Sequence, residues 1–369
     1  MDLAFLNPLC ARPGPWASVY ADTSRHTEST ANDRRLEAQA AVRSLMAQGA
    51  DEATCRAVQS AVEGLGDDRS FPGRAFFATE GEVVLDPPLL TAPPGDQACW
   101  GTLPRIAPLV ELNSGELVCL VAYIDRKGAD FELRGPDGAR FTDGVTGHAW
   151  PLHRTPTGDW SERHFQNKVE NTWQQNAALT AEAIAAHQQE TRADVVILVG
   201  GERERRAVYE QLPQQVGART VESPHGGRAA GADTRLLDED VRGTMAAFEH
   251  RRVAEDLERF EAARHADGER RTAAEGVPGL VEAAREHRIA ELLVQPEGAD
   301  LHRTVWVGPD PDQLAVRRSD LPYLGERHPE PARADDALLR SAAATGAEAL
   351  AVPPQGAPAG GLGALLRWA

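Results

Sequence analysis

Three small groups of residues have the types and spacing to do chemistry. The first is the segment Arg154-Thr-Pro-Thr-Gly-Asp-Trp-Ser-Glu-Arg-His-Phe-Gln-Asn-Lys168. It sets a Gly/Pro loop directly before a predicted helix, with Ser161 placed to cap it. Arg154, Arg163 and Lys168 outnumber Asp159 and Glu162 there, and His164 can add charge. Two readings stay open. A cationic helix start could hold RNA phosphate and stack Trp160 on a base; or this is a surface loop with Trp160 buried under its own domain. The second group, Val199-Gly200-Gly201, lies between a strand and a helix, where backbone N–H groups could cradle a phosphate. The full GxGxxG is absent, so an ordinary βα turn is the favoured reading. Gly361-Leu-Gly363 is weaker still, because it enters a strand. The third group, His148, His153 and His164, lacks metal-ligand spacing and reads as solvated loop histidines. No GxSxG, SxxK or local Cys/His pairing occurs. Neither a metal nor a cofactor is expected.

Charge and composition narrow the classes. The 369 residues carry 39 basic and 56 acidic side chains, a formal net charge of −17. That excludes a uniformly basic nucleic-acid coat but not a local basic face. Ser114–Val221, which holds the candidate loop, counts 12 basic against 15 acidic residues and is far closer to neutral. Cys10, Cys55, Cys99 and Cys119 form no CxxC pair, which argues against zinc ribbons, thioredoxin-type redox and a disulfide framework. No apolar run approaches the roughly 20 residues that span a bilayer. Met1–Arg12 lacks a signal-peptide pattern. A soluble, cytoplasmic monomer is expected.

The elements that must position these residues fall into three blocks, giving a mixed α/β, three-domain fold. Residues 1–113 read as an N-terminal α/β domain. Trp16–Ala21 is a strand, Asn32–Gln48 and Glu52–Leu65 are helices, and Arg74–Thr79 with Glu82–Leu85 is a hairpin. Asp86–Pro108 is proline-rich and reads as a linker or tether. Residues 114–223 form the middle domain. The strand Leu117–Ile124 turns at Asp125-Arg-Lys-Gly128 into Ala129–Arg134. A polar loop, Gly135–Trp160, precedes a long helix from Ser161 to Gln189. Phe165, Val169, Trp173, Ala177 and Ile184 form its apolar stripe, and His164, Lys168, Asn171 and Gln175 a polar one. A strand at Asp194–Val199 and a helix at Glu202–Gln211 follow. Residues 224–369 read as an αβα domain that opens with a charge-dense helix, Leu237–Ala266, whose charges mark a solvated face. The domain then continues through Gly276–Glu286, Ile289–Val294, Asp335–Thr345, Glu348–Val352 and Gly361–Trp368. Because the later blocks own their strands and helices, a chain starting near Ser114 is expected to fold alone.

Ala122-Tyr-Ile-Asp-Arg-Lys-Gly-Ala-Asp-Phe-Glu-Leu133, Gly158-Asp-Trp-Ser-Glu-Arg-His-Phe165 and Asp194–Gly201 resemble the central domain of the archaeo-eukaryotic release factor/Pelota superfamily. There a strand with an Asp-x-x-Gly-Ala turn precedes a loop and helix reading Gly-Gly-Gln-Ser-x-x-Arg-Phe. Gly276–Ala283 with Ile289–Val294, and Leu338–Ala347 with Gly361–Trp368, resemble its C-terminal domain. The chain as a whole is similar to the bacterial branch that holds Balon-type ribosome hibernation factors and related actinobacterial proteins. The likeness implies a ribosome-binding factor in the vacant A site. The middle-domain loop would then face the peptidyl-transferase centre, and the first domain the decoding region. It implies the 70S ribosome and its A-site rRNA as partners, with elongation factor Tu as a further one. Arg154, Gly158, Trp160, Ser161, Arg163, His164 and Lys168 would contact RNA. The departure is at the loop: Trp160 stands where the hydrolytic Gln belongs, Asp159 at the second Gly, and His164 at the Arg. A Trp cannot position water with a side-chain amide, and Gln166 lies six residues on, a poor substitute. The resemblance thus implies ribosome binding more strongly than chemistry. Peptidyl-tRNA hydrolysis in ribosome rescue is the alternative; a stress-associated α/β protein without ribosome contact, favoured by the −17 charge, is the third.

Overall fold

A computed structural model describes residues 1–23, 30–65, 71–95, 97–114, 117–135, 138–146, 159–228, 235–266 and 271–369. They divide into two compact units, Met1–Ser114 with Arg252–Ala369, and Gly115–Arg251.

The first segment folds as α1 (Asn7–Cys10), β1 (Trp16–Asp22), α2 (Thr30–Ala47), α3 (Glu52–Glu63), β2 (Gly73–Thr79), β3 (Glu82–Leu85), β4 (Pro88–Leu89), β5 (Gln97–Gly101) and α4 (Ala107–Leu112). Its sheet runs β3-β2-β1-β5, with β4 also on β2. Every residue of β1 is buried, because both faces are covered. Ala17, Val19 and Ala21 pack with Leu45 of α2 and Val58 of α3. Trp16 and Tyr20 face a different core, described below. The proline-rich stretch read as a tether is instead structural: β5 pairs antiparallel with β1, Ala17 opposite Trp100. Prolines 87, 88, 93, 94, 104 and 108 fall outside β5, so its backbone donors stay available to the ladder.

The unit Gly115–Arg251 holds β6 (Cys119–Asp125), β7 (Gly128–Gly135), β8 (Gly138–Thr146), α5 (Asp159–Thr191), β9 (Val195–Gly200), α6 (Glu202–Tyr209), α7 (Gln214–Gly217), β10 (Thr220–Ser223) and the start of α8 (Arg235–Arg264). Sheet order is β10-β9-β6-β7-β8; β6 and β10 lie parallel to β9, and β7 and β8 return antiparallel. Alternation splits β6 between two layers. Leu120, Ala122 and Ile124 meet Ala177, Ala181 and Ile184 of α5, while Cys119, Val121 and Tyr123 meet Leu237 and Val241 of α8. Two expectations are corrected. The polar loop expected over Gly135–Trp160 contains the edge strand β8, and α5 begins at Asp159, so Trp160 and Ser161 lie inside the helix and Ser161 is not its cap.

The last segment supplies β11 (Ala273–Glu275), α9 (Val277–Arg285), β12 (Ile289–Val294), β13 (Thr304–Val307), β14 (Leu314–Ala315), β15 (Glu330–Arg333), α10 (Ala334–Ala344), β16 (Glu348–Ala351) and β17 (Leu362–Leu366). The main sheet is β11-β17-β12-β16; β14-β13-β15 is a smaller one that the sequence reading did not contain. Leu280 of α9 and Leu338 of α10 share one core with Trp16, Tyr20 and Phe77 of the first segment. Asp2 also bridges Glu348. A chain starting near Ser114 would therefore lose one wall of this core, contrary to the expectation that it folds alone. The mixed α/β class is as expected.

A buried ion cluster pins that joint. Arg105 Nη1 reaches Asp335 Oδ2 at 2.6 Å and Asp336 Oδ1 at 3.0 Å. Asp335 also takes Arg333 Nη2 at 2.8 Å and the Asp336 N–H at 2.9 Å. Burial, and then Asp335 beside it, push the Asp336 carboxyl well above the usual carboxylate range, against the pull of Arg105 and Arg333. The two acids should respond differently to neutralisation. Asp335→Asn leaves two arginines short of their shared charge and should cost about 3 kcal/mol. Asp336→Asn keeps an acceptor for the Ile106 N–H and should cost about 1 kcal/mol. Urea unfolding of both variants at pH 7 checks the order.

Candidate nucleic-acid interface

The helix carrying the candidate residues is seated at its middle. Ala177, Ala181 and Ile184 are buried on the sheet. Arg203 of α6 stacks over Trp173, 4.4 Å from the ring centroid, so this half-buried Trp ends the apolar stripe under a cation. Asn176, 2% exposed, donates Nδ2–H to the Arg126 carbonyl at 3.0 Å. Asn176 does not stand out in the sequence, where its only signal is an amide set beside an apolar stripe.

That carbonyl belongs to the Asp125-Arg-Lys-Gly128 turn, which ties four elements together. Arg126 Nε pairs with Glu204 of α6 at 2.9 Å. Arg228, after β10, forks onto Asp130 at 2.6 and 2.8 Å and reaches Asp125 Oδ1 at 3.0 Å. Gly128 has φ 147°, and a Cβ there would sit 1.9 Å from the Val145 carbonyl oxygen of β8. The Asp-x-x-Gly motif is thus a clasp at the carboxyl ends of β6 and β9.

The Gly200-Gly201 pair sits beside this clasp and has the structure of a close βα turn. Gly200 has φ 144°, and a Cβ would lie 2.3 Å from the Ile124 carbonyl oxygen. Glu202 and Glu204 occupy the first turn of α6, where they oppose an anion. The favoured βα-turn reading accounts for these glycines.

Beyond Asn176 the helix continues toward its start, and Asp159 lies roughly 25 Å along the axis at 1.5 Å per residue. Trp160, Ser161, Arg163, His164, Gln166 and Lys168 all fall on this stretch of α5, of which the backbone alone is described. Arg154, Gly158, His148 and His153 lie outside the described residues. The structure therefore brings six of the named residues onto one continuous helix. Among the described residues no group of three metal-ligating side chains stands together. All four cysteines are free thiols, and burial pushes Cys119 up to about 12.

On the opposite sheet face Tyr123 donates to Glu132 Oε2 at 2.5 Å, and Arg134 bridges Glu132 at 3.0 Å and Asp238 of α8 at 2.6 Å. Burial, then the bond to Glu132, lift the Tyr123 phenol to about 12.

Residues 118–266 match the family model described as bacterial archaeo-eukaryotic release factor family 2. Two Mycobacterium tuberculosis proteins, uncharacterized protein MT2704 of strain CDC 1551 / Oshkosh and uncharacterized protein Rv2629 of strain ATCC 25618 / H37Rv, are each 29% identical over 368 residues. The match covers 98% of this chain and 95% of theirs. Among solved structures, a ribosome-bound archaeal Pelota in a model with ABCE1 is 14% identical over 99% of this chain and 94% of that one, with a TM-score of 0.41. Archaeal translation termination factor aRF1 is 15% identical over 99% and 97%, with a TM-score of 0.26. Saccharomyces cerevisiae Dom34 is 11% identical over 80% and 73%, with a TM-score of 0.39. At these scores the superpositions carry no functional weight. The matched segment contains the clasp, α5 and β9, so it is over the middle of this chain that the similarity to the bacterial archaeo-eukaryotic release factors lies.

Two outcomes follow for this unit. Arg228→Leu unties the bidentate clasp and should lower stability by about 1–2 kcal/mol in urea unfolding. Tyr123 binds its proton more tightly folded than unfolded, so its contribution is complete below pH 10 and is lost as pH rises from 10 to about 12. Tyr123→Phe should flatten that part of the stability–pH curve.

Proposed function

We propose that this protein is a non-catalytic, ribosome-binding translation factor, a Balon-type hibernation factor that occupies the vacant A site. The single observation that carries the reading is the release factor match over residues 118–266, combined with Trp160 standing where the superfamily's hydrolytic Gln belongs. The start of α5 then serves as the RNA contact: Arg163, His164 and Lys168 supply cation, Trp160 a stacking face, and Arg154, Gly158 and Ser161 the approach. A helix start carrying Asp159 and Trp160 suits docking better than ester hydrolysis, because an indole lacks the side-chain amide with which a flexible Gly-Gly-Gln positions water.

The 70S ribosome is the partner in this reading, with elongation factor Tu as the GTPase that accompanies the factor. The first segment faces the decoding region, and residues 1–113, 114–223 and 224–369 act as the three functional domains. The work is cytoplasmic. No helix among the described residues is long and apolar enough to cross a membrane.

Reversing Arg163 and Lys168 together (R163E, K168E) should weaken co-sedimentation with 70S particles by about tenfold or more and flatten its salt dependence. The melting temperature should hold, since both positions precede the stretch Ala177–Ile184 that is buried on the sheet. Purified protein should release no peptide from P-site peptidyl-tRNA above a no-factor control. Release that disappears in Gln166→Ala would establish the hydrolase instead. Ribosome binding unchanged by the double reversal would remove α5 from the interface.

A further inference from the structure

The joint between the first and last segments of their shared unit holds a partly open cavity of about 140 Å³. Trp16 and Leu103 line it from the first segment, Val307 and Arg340 from the last. Its size is close to the ~150 Å³ apolar cavity that admits one benzene molecule.

Arg340 gives the cavity its chemistry. The residue is only 5% exposed, at the centre of α10. Its Nη1 donates to the Gly308 carbonyl at 3.0 Å and its Nη2 to the Pro309 carbonyl. No carboxylate of the described residues lies within ion-pair distance of it; Asp310 and Asp312 act on it only from further away. Burial accordingly holds its guanidinium below the ordinary arginine value. The other buried guanidinium at this joint, Arg105, faces two carboxylates. A buried cation with carbonyl dipoles but no counter-ion is costly, and an anion in the adjoining space would relieve that cost.

Other charges at the cavity limit the ligand. Arg12 is already paired with Glu82 at 2.6 Å. Glu330 also lines the space, exposed to solvent, and opposes a second negative charge. We propose that this cavity binds a small monocarboxylate with one flat apolar ring, its carboxylate on Arg340 and its ring against Trp16 and Leu103. A ligand there touches both segments and braces the joint.

Full-length protein titrated with benzoate tests this, with benzyl alcohol as the neutral isostere and inorganic phosphate as the ring-free anion. Calorimetric titration and thermal unfolding should both show saturable benzoate binding that raises Tm, with neither control doing so at equal concentration. Arg340→Lys, which loses the planar fork, should weaken benzoate by about tenfold. Should that variant fail to fold, Leu103→Trp fills the cavity with Arg340 in place and should abolish binding in a protein that still melts cooperatively. Equal responses to benzoate and benzyl alcohol would overturn the proposal. A response to phosphate alone, or benzoate binding that survives Leu103→Trp, would do the same.

Discussion

The turn Asp125-Arg-Lys-Gly128 is the constraint on which the middle of the molecule depends. One backbone carbonyl, that of Arg126, holds α5 through Asn176, and the same residue's side chain holds α6 through Glu204. Two carboxylates flanking the turn hold Arg228. Shift this turn, and the helix that bears Arg163 and Lys168 loses its register against β6 and β9. Polar clasps of this kind contribute modestly to stability, but they fix orientation, which apolar packing on small residues such as Ala177 and Ala181 leaves loose. The proposed contact surface, roughly 25 Å up the helix, needs such a fixed base.

The other unit solves a different problem. Its first and last segments each present an apolar sheet or helix face, and neither covers its own. Trp16, Tyr20 and Phe77 meet Leu280 and Leu338, and the Arg105 cluster adds direction to that burial. Two sequence blocks that read as separate domains are thus one folding unit at the level of packing, whatever separate roles they play.

How far the sequence could be read follows from where the signals lie. Strands β6 and β9 are buried on both faces and appear as unbroken apolar runs, Leu120–Ile124 and Val195–Val199. Strand β8 is an edge strand with Arg140 and Phe141 exposed, so its composition is that of a loop. Strand β5 is half-buried along its length and set between prolines; only its pairing with β1 makes it a strand. The glycine turn motif was legible, but its reason was not, because Arg228 lies 98 residues beyond Asp130. The candidate site was legible as a cationic segment at a helix start, whereas the element that fixes it, Asn176, looked like one more polar residue on a long helix.

The central claim is that the start of α5 meets large-subunit RNA. Replacing Trp160 with the photocrosslinker p-benzoylphenylalanine, irradiating the full-length protein bound to purified 70S ribosomes, and mapping the joined nucleotides tests it most directly. The account predicts crosslinks to large-subunit rRNA at the peptidyl-transferase centre, lost when an A-site tRNA is bound first. Bound protein that crosslinks only to ribosomal proteins, or equally well with the A site filled, would contradict it.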